Sequence, residues 1–581
     1  MVLEPAVLAL LIKNSAKIKN IWYNLYIVKG VDYVNNIIIT FEDGSKKEYR
    51  RGIKVKEIIN DLKIDKEIIC ASFGNNILNL DDSINRSGEL ILYDLNSREG
   101  SRVYEKGLIF LFKACTTEVL GKDVRVIIRN SIDRGIFFEV DKELTEDEVK
   151  EIKKVMQTKV NKEVPFTKVE TTMSEALNYF KEAKRSDKIK TLFYNKDKYV
   201  ALYKFDGNYN YIIGNLPHNC SILKYFNLTR VEHKGIILSY PSMYDNGKTA
   251  KYKHHEQFFD NIEQYLQWAK ILNISSIGEL NDMIVSSQPG ELINLSESIQ
   301  DFRLQVIANE IKLNDNKIKI ILLSGPSSSG KTTSARKLSV FLKTMGLNPV
   351  PLSLDDYFLN REDTPLNENG KPDFESLRAI DIKLFNSQIS KLLKGNKVTI
   401  PRFDFITGKK VFEKTIQMEE NDVLIIEGLH ALSDELLKEI PRNKKYKIYI
   451  SPLVYLNIDD DNRINQTDIR LIRRMVRDAR TRGYSPSHTL STWQEVRNGE
   501  EKYVFPYQDS ADVIFNTFLA YELPVIKVYA LPLLYKVKID DPEYMTALRL
   551  IRLLDLVLPL PSDDIPSLSI IREFIGKGYF E

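Results

Sequence analysis

The stretch GPSSSGKTTSARKL at positions 325–338 has the residue types and the spacing of a phosphate-binding loop. Its glycines allow the backbone to bend, so that consecutive N–H groups point at phosphate oxygens. Lys331 could then reach the β- and γ-phosphates of a nucleotide, and the hydroxyl of Thr332 could bind Mg²⁺. The residues expected to contact the nucleotide are Gly325, Ser327, Ser328, Ser329, Gly330, Lys331, Thr332 and Thr333.

The segments on either side favour this loop over a chance glycine–serine turn. IKIILL, which precedes it, is a short apolar run rich in β-branched residues, as is typical of a buried parallel strand. TTSARKLSVFLKTMG, which follows it, has apolar residues at helical spacing and ends at Gly346. The sequence therefore predicts a strand, a loop and a helix in that order, with the helix N-terminus facing the phosphates.

Carboxylates that could complete a phosphate-transfer site follow the loop. Asp355 and Asp356 lie at the end of VPLSL, a predicted second strand, and ligands bind at that edge of open α/β sheets. A carboxylate there could accept the proton of an attacking hydroxyl and help to hold Mg²⁺. Glu427 ends the apolar strand predicted for DVLIIEGL and is a further candidate metal ligand.

A run of arginines follows in DIRLIRRMVRDARTRGYS. Arg470, Arg473, Arg474 and Arg477 share one side of the predicted helix. A solvated basic helix is one interpretation of this pattern. The other is that the cations lie over a transferring phosphate, which such a site requires. Under that interpretation we expect Arg474 and Arg477 to act in the transfer, and Arg482 to contact the nucleotide.

Composition sets limits on the class of protein. The net charge of the 581-residue chain is only +3, which gives no global attraction to nucleic acid or to a membrane surface. Cys70, Cys115 and Cys220 are far apart in sequence and are expected to be buried free thiols. The apolar run at 6–12 is too short to span a membrane. We therefore expect a cytoplasmic protein with no membrane contact.

Residues 318–530 resemble the uridine kinase and phosphoribulokinase family. The resemblance rests on the ordered segments LSLDDYF, DFESLRAID, IPRFDF, RRMVRD and EKYVFPYQDSADVIFN. It implies a P-loop kinase domain with a parallel sheet flanked by helices, in which Asp355 is the catalytic base and RRMVRD supplies the lid arginines. It also implies that the substrate is contacted by Phe358, Glu375, Phe403 and Asp404.

The departures from that family lie on the substrate side. Glu375 replaces an Asp, Phe358 and Phe403 replace tyrosines, and Gly408 occupies the position of a base-reading His. Because these changes remove hydrogen-bonding groups, we expect the base to be read loosely, by shape and stacking, and the ribose hydroxyls strictly.

The front half resembles the beginning of threonyl-tRNA synthetases. The hairpin dipeptide Asp43-Gly44 lies between two β-rich runs, and this region resembles the ubiquitin-like TGS domain. DRGIFFEVDKELTEDEVKEIKKVMQTKVNKEVPF resembles the editing domain that follows TGS. No histidine precedes His218, and Ile212 and Leu216 take the places of the later metal-binding pair. The resemblance thus implies a retained scaffold without its metal or catalytic histidines.

We therefore expect a multidomain chain of α/β and α+β classes. Its predicted parts are an N-terminal helical extension (1–32), a TGS-like β-grasp domain (33–97), an editing-like α+β domain (98–255), a helical linker (256–312), a P-loop kinase domain (313–535) and a C-terminal helical tail (536–581).

The expected function is the transfer of the ATP γ-phosphate to a ribose-type hydroxyl of a nucleoside or a related small molecule, with Mg²⁺ held by Thr332, Asp355 and Glu427. The alternative is an RNA- or ribosome-associated regulatory NTPase that binds RNA through the front half. The missing histidine pair disfavours an active tRNA-editing enzyme. A homo-oligomer is compatible with the sequence.

Overall fold

The structure, a computed structural model, describes residues 36–132, 135–231, 235–241, 249, 252, 256–286, 289–314, 317–366, 370, 372–404 and 407–580. The helical extension predicted for 1–32 lies outside these residues, as do His233, His254 and His255. The chain divides into two compact units, Met1–Tyr104 with Asn215–His218, and Glu105–Gly214 with Asn219–Glu581.

The described residues of the first unit include a five-stranded sheet, a two-stranded sheet and a short helix. Its elements are β1 (Asn36–Phe41), β2 (Lys46–Arg50), β3 (Ile53–Lys54), α1 (Val55–Asp61), β4 (Ile68–Phe73), β5 (Asn76–Leu78), β6 (Ser83–Ile84) and β7 (Gly88–Asp94). The strand order is β2-β1-β7-β4-β5, with β1 and β7 parallel. The hairpin predicted around Asp43-Gly44 joins β1 to β2, and Gly44 takes the positive φ of 80° that its turn requires.

The second unit begins with helices and two antiparallel sheets. Helix α2 (Arg98–Leu120) begins in the first unit and ends in the second. The next elements of the second unit are β8 (Val126–Ile132), β9 (Gly135–Val140), α3 (Glu146–Asn161), β10 (Thr167–Thr172), α4 (Met173–Glu182), α5 (Ser186–Phe193), β11 (Tyr199–Phe205), β12 (Asn208–Asn210), β13 (Asn227–Val231) and β14 (Gly235–Ser239). The sheet orders are β13-β14-β9-β8 and β10-β11-β12. The three cysteines are free and buried, as predicted.

A five-stranded parallel sheet forms the centre of the C-terminal region. Helices α6 (Glu256–Ile271), α7 (Ile277–Val285) and α8 (Pro289–Leu313) precede it. Its strands are β15 (Ile320–Ser324), β16 (Asn348–Ser353), β19 (Asp422–Glu427), β20 (Lys445–Ser451) and β21 (Val513–Asn516), in the order β16-β19-β15-β20-β21. Because all neighbours are parallel, the residues that follow these strands gather at one edge.

Helices cover this sheet, as the sequence predicts. They are α9 (Lys331–Thr344), α10 (Ile382–Leu392), α11 (Gln466–Thr481), α12 (Pro486–Ser491), α13 (Trp493–Tyr503), α14 (Glu522–Leu534), α15 (Tyr544–Asp555) and α16 (Arg572–Ile575). A hairpin of β17 (Val398–Asp404) and β18 (Lys409–Ile416) stands apart from the sheet. Within the described residues, no helix is long and apolar enough to cross a bilayer.

A balanced set of charges, most of them buried, lies where the segment before α11 meets the first half of the second unit. Lys188 Nζ lies 2.9 Å from carboxylate oxygens of both Asp459 and Asp461. The set consists of the anions Asp187, Asp459, Asp460 and Asp461 and the cations Lys113, Arg125, Arg185 and Lys188. Carboxylate oxygens of Asp187, Asp459 and Asp461 lie within 4.8 Å of one another, but protein cations already neutralise them, so this cluster is an ion-pair network rather than a metal site.

Candidate active site

Glycines shape the loop that follows β15. A Cβ on Gly325 would lie 1.9 Å from the carbonyl oxygen of Ile450, so only glycine fits there. Gly330 has a φ of 87°, and a Cβ on it would meet Ile570 at 2.8 Å. The chain then enters α9 at Lys331. Strand, loop and helix therefore follow one another as the sequence predicts, and the N–H groups of the first turn of α9, which have no partner within the helix, lie at the loop.

The lysine of the loop contacts the loop itself. Lys331 Nζ donates to the carbonyl oxygen of Gly325 at 2.9 Å and to that of Pro326 at 3.2 Å. Burial lowers the pKa of Lys331, and the charges of Glu427 and Asp355 are the main opposing influences. The ammonium group thus lies among the carboxylates that the sequence assigns to the same site.

The serines of the loop differ in their surroundings. The Ser327 N–H donates to Glu500 Oε1 at 2.8 Å, and its hydroxyl accepts from Arg474 Nη1 at 2.8 Å. The hydroxyls of Ser328 and Ser329 are buried and have no hydrogen-bond partner among the described residues. Buried polar groups are normally satisfied, so these two hydroxyls stand out as unsatisfied groups of the loop.

Oxygen donors gather beside the loop at the end of β19. Thr332 Oγ1 donates to Glu427 Oε1 at 3.4 Å, and Ser353 Oγ donates to the same oxygen at 3.0 Å. Burial, followed by the charge of Asp355, raises the pKa of Glu427 to about 7, while Lys331 opposes the shift. A hydroxyl and carboxylates are the ligands that Mg²⁺ prefers, and a divalent cation would relieve their mutual repulsion. The residues present therefore fit Mg²⁺.

The two consecutive aspartates after β16 face different partners. Asp355 is exposed to solvent just after the end of β16. Desolvation by the surrounding groups raises the pKa of Asp355. The positive charges of Lys331, Arg482 and Arg477 oppose this rise. Asp356 Oδ1 instead accepts the N–H of Phe403 at 3.2 Å. Asp355 is thus available to a reactant, whereas Asp356 supports the hairpin of β17 and β18.

The arginines of α11 do not act as one cationic face, which corrects the expectation from their spacing. Arg470 pairs with Glu500 and Arg473 with Glu522, each at 2.5 Å, and all four side chains are fully buried. Helical spacing alone could not distinguish these arginines from their neighbours, because their partners are 30 and 49 residues away in the chain.

The three arginines that the sequence assigns to the site gather around one carboxylate. Arg474, Arg477 and Arg482 lie 3.3, 3.1 and 3.3 Å from carboxylate oxygens of Asp478. Burial, followed by other charges including the neighbouring arginines, lowers the pKa of Arg474 and of Arg482. One buried aspartate shared by three guanidinium groups leaves positive charge in excess, which favours binding of anions such as phosphates.

Aromatic rings form a wall on the substrate side. Phe358 packs edge-on against Phe403, with ring centroids 5.7 Å apart, and against Phe374, at 6.3 Å. Sequence reasoning missed Phe374, whose only signal is its place before Glu375. Burial raises the pKa of Glu375 to about 7, and Arg474 opposes the shift. Asp404 ends β17, and its Oδ1 accepts the Thr407 N–H at 3.3 Å.

The space beside Gly408 is occupied by Arg361. A Cβ on Gly408 would lie 2.8 Å from Cβ and 3.1 Å from Nε of Arg361. The Arg361 N–H also donates to the Gly408 carbonyl oxygen at 2.9 Å. A side chain from another loop therefore occupies the space that glycine leaves.

His430 is a further residue that sequence reasoning did not select. His430 is buried and lies three residues after Glu427 in the chain. Its ring contacts that of Tyr503, with the ring centroids 5.6 Å apart. Burial lowers its pKa to about 4, while a hydrogen bond to the backbone of Glu375 opposes the shift. A neutral His430 thus ties the segment that carries Glu375 to the end of β19.

Comparison with known proteins agrees with this geometry. A family model described as Phosphoribulokinase / Uridine kinase family matches residues 320–522. The uridine kinase of Bacillus pumilus (strain SAFR-032) is 28% identical over 218 residues, which are 37% of this chain and 95% of that protein. The uridine kinase of Deinococcus deserti is 30% identical over 197 residues, which are 34% of this chain and 86% of that protein.

A solved structure described as a possible uridine kinase from Bacillus stearothermophilus aligns at 18% identity with a TM-score of 0.24, covering 34% of this chain and 89% of that chain. That likeness is too weak to carry an inference about function. The family match and the curated relatives fall on the region that holds the phosphate loop, the strand-end carboxylates and the arginine helix. Through this C-terminal region, the chain belongs to the phosphoribulokinase / uridine kinase family.

Proposed function

We propose that this protein transfers the γ-phosphate of ATP to a ribose-type hydroxyl of a nucleoside such as uridine or cytidine, or of a related small molecule. The observation that carries the proposal is the position of Asp355. It is exposed just after β16, and the charges of Lys331, Arg482 and Arg477 act on its carboxylate. Hydrolysis of a nucleotide does not need a base for a substrate hydroxyl, whereas phosphate transfer to an alcohol does.

Each group of the chain has a distinct role in this proposal. A carboxylate oxygen of Asp355 accepts the proton of the acceptor hydroxyl. Loss of this proton makes the hydroxyl oxygen a better nucleophile. Lys331, Arg474 and Arg477 place positive charge around the transferring phosphoryl group. Arg482 and the backbone N–H groups of the loop orient the rest of the nucleotide.

Mg²⁺ would be held by Thr332 and Glu427, with Asp355 beside them. Held there, the metal would supply positive charge that offsets the negative charge of the phosphates. The contacts of Glu427 with Thr332 and Ser353 support this assignment, because they keep its carboxylate beside the loop.

The acceptor is proposed to lie between the aromatic wall and the carboxylates. Phe358 and Phe403 offer ring faces and edges on which a flat base can stack. Glu375 and Asp404 offer oxygens that can accept hydrogen bonds from ribose hydroxyls. Stacking discriminates weakly between bases, whereas a missing hydroxyl leaves a buried acceptor unpaired.

A steady-state panel with uridine, cytidine and their 2′-deoxy analogues tests this proposal. We expect kcat/KM for uridine and cytidine to differ by less than about tenfold, and the deoxy analogues to fall further. Arg474→Ala and Arg477→Ala should lower turnover with every acceptor alike, because both serve the phosphates. A strong preference for one pyrimidine combined with indifference to ribose hydroxyls would contradict the proposed acceptor site.

We also propose that the protein is divided into the domains predicted from its sequence, with the same limits. The strand order β2-β1-β7-β4-β5 with its parallel β1–β7 pair supports a TGS-like β-grasp domain at 33–97. The α+β composition of the following region supports an editing-like domain at 98–255. Helices α6, α7 and α8 support a helical linker at 256–312, followed by the kinase domain (313–535) and the tail (536–581).

A regulatory NTPase associated with RNA is the second candidate. It is favoured by two exposed rings in the front half, Phe193 and Tyr199, with Lys196 and Lys198 over them at 5.8 and 5.5 Å. Exposed rings beside cations can stack on unpaired bases. Running the same panel with and without tRNA separates the candidates, because ATP turnover that needs tRNA and no nucleoside supports the second one.

A further inference from the structure

The C-terminal end of the chain reaches the phosphate loop. Glu573, in the short helix α16, accepts two hydrogen bonds through Oε2 from Thr333, one from the hydroxyl at 2.7 Å and one from the backbone N–H at 3.3 Å. The two residues are 240 positions apart in the chain. The carboxylate therefore occupies a donor pair at the beginning of α9.

The segment that carries Glu573 is fixed in place by contacts on several sides. Arg480 of the arginine helix donates to the carbonyl oxygens of Glu573 at 3.0 Å and of Phe574 at 3.3 Å. The Arg473 guanidinium lies 4.9 Å from the centre of the Phe574 ring. Ile570 packs where a Cβ on Gly330 would otherwise lie. The segment around Glu573 therefore belongs to the site, because it contacts both the phosphate loop and α11.

The donors that Glu573 occupies are those that a phosphate-binding loop offers to a ligand. The N–H groups of the first turn of α9 have no partner within the helix, and Gly330 at the N-cap has no side chain to supply one. An anion is favoured at such a helix N-terminus. A carboxylate and a phosphate oxygen meet the same need, so they compete for the Thr333 donors.

The negative charges of a phosphate and of the Glu573 carboxylate decide whether the two can bind Thr333 together or must compete for it. A nucleotide phosphate at Thr333 would lie next to the Glu573 carboxylate, and like charges at contact distance repel. The geometry points to Glu573 as a residue of the nucleotide site that holds the place of a phosphate, so that nucleotide binding requires its carboxylate to leave Thr333. This inference rests on the proposed function, because it assumes that the loop binds a nucleotide.

The affinity for nucleotide would then be set partly by the C-terminal segment. When only a fraction of the molecules has the carboxylate displaced, the apparent Kd rises by the inverse of that fraction. Removing the carboxylate should therefore tighten binding. A role limited to capping α9 predicts the opposite pattern, in which the protein loses stability and its affinity for nucleotide does not improve.

Isothermal titration calorimetry of the full chain with ADP and Mg²⁺ tests the inference. We expect Glu573→Ala to lower the Kd about tenfold, which corresponds to about 1.4 kcal/mol. Glu573→Gln keeps an acceptor oxygen but loses the charge, so it should also tighten binding. Asp564→Ala is the matched control, since it removes an exposed carboxylate of the same segment.

The outcomes are distinguishable. Tighter binding by both Glu573 variants with an unchanged Asp564→Ala supports the inference. Equal or weaker binding by folded Glu573→Gln, with the wild type binding ADP normally, overturns the inference and leaves the proposed function intact. Absence of ADP binding by the wild type and all variants overturns both. Glu573→Gln decides the question if Glu573→Ala does not fold.

Discussion

Replacing Asp355 with asparagine removes the proposed base and leaves the shape of the side chain almost unchanged. Lys331, Arg477 and Arg482, whose charges act on Asp355, all remain. Loss of a general base costs about 10²–10⁴ in rate, which equals about 2.7–5.4 kcal/mol in the transfer barrier. We expect phosphate transfer by Asp355→Asn to fall by that range. Nucleotide binding should be retained, because the substitution removes a negative charge beside the phosphates.

Asp356→Asn is the matched control, one position along the chain. Its amide oxygen can still accept the Phe403 N–H that the carboxylate accepts in the wild type at 3.2 Å. We therefore expect its transfer rate to fall by less than about tenfold, the effect of one weakened hydrogen bond. The measurement is the rate of uridine phosphorylation at saturating ATP, with ADP affinity determined separately by calorimetry.

The pH dependence of transfer adds a second readout. Asp355 must be ionised to accept a proton, and desolvation by the groups around it raises its pKa above the ordinary value of 3.8. Transfer by the wild type should therefore fall as the pH drops through this raised pKa, and the residual activity of Asp355→Asn should lack that limb. If Asp356→Asn abolishes transfer while Asp355→Asn retains it, the assignment of the base is wrong.

Three further predictions concern the phosphate loop, the substrate side and the front half. Lys331→Ala should abolish ATP turnover and leave the thermal unfolding curve intact, because it removes the cation of the loop; unchanged ADP production by a folded variant would exclude the loop from the mechanism. Burial raises the pKa of Glu375 to about 7 from 4.5, so its contribution to stability is full below pH 4.5 and is lost as the pH rises through 7, by at most about 3 kcal/mol. The Glu375→Gln variant should therefore lose less stability between pH 5 and pH 8 than the wild type. Identical changes in Tm for the two proteins would contradict the raised pKa of Glu375. The front half should neither bind zinc stoichiometrically nor deacylate mischarged tRNA, as elemental analysis and a deacylation assay would show; deacylation that disappears on deletion of residues 100–255 would refute this.

The parts of the site that sequence reasoning predicted are those set by neighbours in the chain. The glycine spacing, the apolar run before it and the helical pattern after it give β15, the loop and α9. Similarly, Asp355 and Glu427 follow short apolar runs that become the parallel strands β16 and β19. Parallel pairing then brings both carboxylates to one edge, which needs no information beyond strand direction.

The rest depends on contacts between distant segments. Arg470 and Arg474 have the same local pattern, yet Arg470 is neutralised by Glu500 while Arg474 donates to Ser327 of the loop. At position 408 a glycine stands where the family has a histidine, and the loss of that side chain leaves space. Arg361 fills this space. Spacing within a segment carries no signal for such partners, because their positions depend on how the whole chain packs.

The buried charges before α11 also decide whether the front half is a detachable module. Asp459, Asp460 and Asp461 belong to the kinase region, but their counter-charges Lys113, Arg125, Arg185 and Lys188 all precede residue 190. A fragment beginning at residue 256 would keep the carboxylates and lose every one of those cations. Breaking a buried pair on one side typically costs about 3–5 kcal/mol, so such a fragment would have to rearrange the segment that leads into the arginine helix. Residues 113–188 therefore supply the counter-charges of the segment that leads into the arginine helix, and that segment depends on them for its charge balance.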